Sequence, residues 1–138
     1  MKKLILASLF VLPLTSCISR EQADTRLEKG CKAGIEFFLE NGFEIKSIKR
    51  AMFKNSTEFG NGYREVMMFL QISDGWYDQD KEYKCTFAEE WNSLRASHRA
   101  DIYQINVDGD YYGVKDGKII GDIETQINLS DAINNAMR

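Results

Sequence analysis

Tyr63-Arg64-Glu65-Val66-Met67-Met68-Phe69-Leu70-Gln71-Ile72 reads as a β-strand that is apolar on both sides. Side chains alternate across a strand, so Val66, Met68, Leu70 and Ile72 share one face while Tyr63, Met67 and Phe69 line the other. A strand with two apolar faces belongs in the middle of a sheet rather than at its rim. Downstream, Ser73-Asp74-Gly75 and Asp78-Gln79-Asp80 punctuate the chain before Tyr83, Cys85 and Phe87, a second set that shares one face by the period of two. Upstream, Leu27, Cys31, Gly34, Ile35, Phe38 and Leu39 recur at intervals of three and four, which is one stripe of a helix. Ser19 and Gln22 have capping-box spacing before that stripe, and Asn41-Gly42 offers a left-handed stop after it. A helix is therefore predicted from about Glu21 to Glu40, with Cys31 on its buried side.

The remaining chain extends this pattern. Phe43 to Phe53 has mixed strand character, and Asn55 to Gly62 is a polar loop with Gly60 and Gly62. Ile102 to Val107 predicts another strand. Asp108-Gly109 and Asp116-Gly117 sit between apolar runs, the preferred chemistry of two-residue hairpin turns. Leu129, Ala132, Ile133, Ala136 and Met137 mark a short amphipathic helix, with Asn128 or Ser130 as its cap. The expected fold class is α+β: an N-terminal helix packed on an antiparallel β-meander of four to six strands, closed by a short C-terminal helix. This order is similar to that of cystatin-like and other small envelope domains, in architecture only and without shared motif residues.

The first seventeen residues have a separate logic. Lys2 and Lys3 give a positive start, Leu4 to Leu14 an apolar run broken only by Pro13, and Leu14-Thr15-Ser16-Cys17 a small-residue close. The run falls short of the roughly 20 residues that a transmembrane helix needs, so it predicts a cleaved export signal. Leu14-Thr15-Ser16-Cys17 resembles the lipobox of bacterial lipoproteins. The resemblance implies cleavage before Cys17, a diacylglyceryl group on its sulfur and a further acyl chain on the new amine, and two or more chains hold a protein stably to a bilayer. Residues 1–16 are then the signal, 17–20 a lipid-bearing N-terminus with a short tether, and 21–138 a single globular domain. Ile18 in place of an acidic residue after the cysteine implies, by the same family's sorting pattern, the outer membrane facing the periplasm if the cell is Gram-negative.

With Cys17 assigned to lipid, Cys31 and Cys85 remain. In an oxidising compartment an even pair is most simply a disulfide, the alternative being two unlinked buried thiols. Losing Lys2 and Lys3 with the signal takes the formal charge from −3 to −5. An acidic chain of this kind lacks the basic face that nucleic acid requires. No glycine-rich phosphate loop and no two-histidine zinc spacing occurs, so neither a cofactor nor a metal is indicated.

Candidates for chemistry are few. His98, the single histidine, follows Ser97 in a polar stretch and reads as a surface or edge residue. Asp108-Gly109-Asp110 superficially resembles the start of a calcium loop, but Ile119 stands where a bidentate Glu is required. Glu89 and Glu90 precede Trp91, yet neighbours on a strand point to opposite faces, so a carboxylate-dependent hydrolase would need a partner such as Asp101. Trp76, Tyr77, Trp91, Tyr111 and Tyr112 lie in or beside loops and hairpins, and such residues are enriched at protein interfaces. The expectation is an envelope lipoprotein, attached to the membrane through Cys17, whose non-catalytic domain binds an envelope protein or serves an assembly. The alternatives are an inhibitor of a hydrolase such as lysozyme, and a small periplasmic hydrolase.

Overall fold

The structure, a computed structural model, describes residues 17–138; the export signal expected over residues 1–16 lies outside the described residues. Helix α1 (Arg20–Phe38) leads into β1 (Glu44–Asn55), β2 (Tyr63–Ser73), β3 (Asp78–Trp91), β4 (His98–Val107), β5 (Asp110–Lys115) and β6 (Lys118–Ile120), and α2 (Ile123–Met137) closes the chain. The strands form one six-stranded antiparallel sheet in sequence order, β1-β2-β3-β4-β5-β6. This is the α+β meander expected, with β2 bonded on both sides.

Both helices pack on one face of the sheet. Val66, Met68, Leu70, Tyr83, Cys85, Phe87 and Ile105 from the strands meet Leu27, Cys31 and Ile35 from α1 and Leu129 and Ile133 from α2. Fully burying a side chain of this size contributes about 1.5–3 kcal/mol. Cys31 and Cys85 are joined in a disulfide, their Cα atoms 5.7 Å apart and both side chains fully buried, so α1 is bolted to β3 through the core. Gly30 and Gly34 let the two helices approach closely. A methyl on Gly34 would stand 3.0 Å from Cδ1 of both Ile105 and Ile133, and one on Gly30 2.8 Å from Cγ of Met137.

Local chemistry sets the element ends. The Ser19–Gln22 capping box is formed in both directions, at 3.1 Å and 2.9 Å. The helix stops at Phe38 rather than Glu40, because Leu39 is already extended, and Gly42 takes its positive φ in the following turn instead of terminating the helix. Asp108-Gly109 and Asp116-Gly117 have both residues at positive φ, as the mirror-image turns of tight hairpins require. Asp78-Gln79-Asp80, expected to be loop, pairs with Gln71–Ser73 and belongs to β3, which leaves a turn of four residues, Asp74 to Tyr77. The second helix starts well before Asn128 or Ser130: Asp122 caps it, accepting from Thr125 N–H at 2.8 Å. Its first two turns project Ile123 and Ile127 into solvent, which hides it from a search for apolar periodicity.

The face away from the helices is closed at one end by the Ser56–Gly62 loop. Phe59 packs tilted against Tyr63 and edge-to-face against Tyr103, and Ser56 Oγ donates to the buried Glu65 at 2.8 Å.

Candidate functional site: two ends of one sheet

The register of β2 against β3 defines two ends. Tyr63 faces Ala88 at one and Ser73 faces Asp78 at the other, ten residues along the strand. At about 3.3 Å per residue the ends are roughly 33 Å apart.

Cys17 lies at the first end. It is exposed and its thiol points to Leu94 O at 3.6 Å, while Ile18 N–H donates to Arg95 O at 2.9 Å and α1 begins two residues later. The expected tether of residues 17–20 is thus strapped to the β3–β4 loop, because the N–H of Ile18 finds a carbonyl there and Ser19 is consumed by the helix cap.

Beneath this strap is a polar cluster that periodicity does not reveal. The Arg20 guanidinium grips Glu89 with two hydrogen bonds of 2.9 Å and 2.6 Å and reaches Asp24 at 2.8 Å. Asp24 is gripped in turn by Arg64 at 3.0 Å and 2.6 Å. His98 Nε2 lies 2.7 Å from the same Glu89, and its ring packs 4.5 Å from Trp91. Arg20 and Arg95 each sit 5.1 Å from the Trp91 ring centre, within cation–π range. Burial works against the charge on Arg20, yet Glu89 and Asp24 hold its guanidinium above its ordinary pKa. The His98 and Glu89 side chains are only 2% and 7% exposed. His98, expected at the surface, is thus an interior residue at the first position of β4. Trp91 is half-buried in this cluster. Only the Arg20–Asp24 spacing, four apart on a helix, carries a sequence signal for it.

Glu89 therefore meets one guanidinium and an imidazole. Glu90 is exposed on the opposite face, and Asp101 is exposed and bridged to Arg99 at 3.2 Å. Among the described residues, no group of three or more His, Cys, Asp or Glu is placed to hold a metal ion, and no helix is long and apolar enough to cross a membrane.

The far end carries the exposed aromatic residues. Trp76 is 98% and Tyr77 66% exposed at the tip of the β2–β3 hairpin. The tip is fixed: Asp74 Oδ1 accepts from the N–H groups of Trp76 and Tyr77 at 2.8 Å and 2.7 Å, and these bonds hold the Asp74 carboxyl below its usual pKa. Beside the hairpin, the end of α1 and the ends of β2, β3 and β4 enclose a cleft of about 330 Å³. One wall is Phe38 stacked on Tyr112, ring centres 3.8 Å apart. Tyr83 lies at its base, its phenol pushed up to about 12 by burial and by neighbouring Asp108. Tyr111 covers Lys115, with the ammonium 3.6 Å from its ring centre. Trp76 and Tyr77 are thus presented outward, whereas Trp91 and Tyr112 are half-buried against other aromatic rings.

The chain matches no family model, no curated protein and no solved structure.

Proposed function

We propose that this protein is a bacterial envelope lipoprotein, held to the membrane by lipid on Cys17, whose domain binds another protein without catalysing a reaction. The observation that carries the binding part is the rigid Trp76–Tyr77 tip, roughly 33 Å by strand register from the strapped N-terminus. Tryptophan and tyrosine dominate binding energy when desolvated, and a turn fixed by Asp74 has little freedom left to lose on association. The strap adds orientation. With lipid on Cys17, the β3–β4 loop faces the bilayer, and exposed Leu94 in that loop lies beside the attachment point. The Trp76 tip then faces away from the membrane.

Two substitutions test the two halves separately. Replacing Cys17 by Ser should release the protein from the membrane fraction and remove the acyl mass from its N-terminus; unchanged fractionation rejects the anchor. A photocrosslinking residue at position 76 in the native envelope should trap a discrete protein adduct, and the same residue at exposed position 124 should not. Equal adducts from both positions reject the tip as an interface.

The same fixed tip favours a second reading, an inhibitor that presents Trp76 to the active-site cleft of a hydrolase such as lysozyme. Micromolar inhibition lost on Trp76→Ala supports it, and full hydrolase activity at that concentration rejects it.

A further inference from the structure

We infer that the cleft between the end of α1 and the sheet is a second recognition site, which takes a basic side chain next to an apolar one from an extended segment of a partner protein. The inference goes beyond the Trp76 contact and depends on the lipoprotein reading only for which way the cleft faces.

The shape sets the size of the occupant. At about 330 Å³ the cleft lies at the lower end of the roughly 300–1,000 Å³ of small-ligand sites, enough for one or two side chains. One wall is apolar, formed by the Phe38–Tyr112 stack with Phe43, Ile72 and Val107, above the buried Tyr83 at the base. An apolar side chain laid on this wall would leave water without disturbing the fold.

Charge selects the neighbouring group. Glu40, Asp108 and Asp110 line the rim, and Lys81 is the one cationic side chain among the lining residues. Lys81 is already engaged by Asp108 at 2.7 Å, which leaves Glu40 and Asp110 facing solvent without a cation from the cleft itself. The C-terminus of α1 points to the same place. Its last turn contains no basic residue, so the negative end of the helix dipole is uncompensated by its own side chains. Carboxylates beside an apolar wall suit arginine or lysine, whose aliphatic stem lies on apolar surface while its head meets the rim. A guanidinium gains most, since it can bond a carboxylate with two parallel N–H groups.

The probe is the peptide N-acetyl-Leu-Arg-Phe-amide, compared with the same peptide carrying uncharged citrulline for arginine. Each is titrated into the full-length mature chain, labelled with ¹⁵N, in detergent micelles. The arginine peptide should shift the amide signals of Phe38, Val107 and Tyr112 and bind about tenfold tighter than the citrulline peptide at low salt. Glu40→Gln with Asp110→Asn should erase that tenfold preference while leaving the citrulline affinity and the melting temperature unchanged. Equal binding of the two peptides would overturn the charge selection. Shifts confined to the Trp76 tip or β1, shifts that grow with protein concentration without peptide, or no binding at millimolar peptide would overturn the site. Because the micelle experiment reads the cleft alone, its failure leaves the Cys17 and Trp76 tests standing, and their failure leaves the cleft standing.

Discussion

Removing the disulfide is the sharpest test of how this domain is held together. Changing both Cys31 and Cys85 to Ala opens a loop with a sequence separation of 54. In the chain-entropy treatment the cross-link withholds 2.1 + 1.5R ln n from the unfolded chain, which for this loop is about 14 cal/mol/K, or about 4 kcal/mol at 25 °C. A domain of about 120 residues has roughly 6–18 kcal/mol of total stability, so the loss is a large share of it. Urea unfolding followed by circular dichroism reads the effect. With a slope of about 1.5 kcal/mol per molar, the midpoint should fall by about 2–3 M. The slope itself should rise, because the unlinked unfolded chain exposes more surface. Wild-type protein in strong reductant should move towards the same midpoint. Both cysteines are fully buried, so the alanine variant also loses sulfur packing and the fall should be no smaller than the loop term. A midpoint within about 0.5 M of wild type would refute the reasoning and mean that α1 docks without its bolt.

Three further outcomes follow from particular contacts. Gly34→Leu should destabilise the domain by about 1–3 kcal/mol in the same unfolding assay, because even a Cβ there stands 3.0 Å from two isoleucine methyls; an unchanged midpoint would show that the helices do not meet at Gly34. Glu89→Gln removes the charge that Arg20 grips. With Arg20 about one-third exposed, solvent screening reduces the cost to about 2 kcal/mol, and melting curves that match wild type would rule the cluster out as a structural rivet. Tyr83 gives a pH signature: its phenol titrates near 12 in the folded protein and near 10 unfolded. Its contribution is complete below pH 10 and is lost as pH rises towards 12, since unfolding then releases a proton. Subtracting the urea midpoints of Tyr83→Phe from those of wild type across this window should give a difference that declines with pH, and a flat difference would reject the shifted phenol.

The amino-acid sequence determined the class of fold because its strongest signals are local. The two-sided apolar strand at Tyr63–Ile72, the Cys31 stripe, the Ser19–Gln22 box and the two Asp-Gly turns each depend on residues within a few positions of one another, and each formed, the stripe losing only Leu39, where the helix has already ended. Two periodicities sufficed to bring Cys31 opposite Cys85. What the sequence alone left undecided is what depends on distant partners. His98 looks like a surface residue until α1 brings Arg20 onto Glu89, and Tyr112 looks like an exposed hairpin residue until Phe38, more than seventy positions earlier, stacks on it. Trp76 and Trp91 are the same residue type beside similar turns, yet one stands in solvent and the other lies among arginines. Local chemistry makes the strands and turns; burial and ion pairing are settled only when the helix is laid across the sheet. That packing also separates the Cys17 end from the end that carries Trp76 and the acidic cleft.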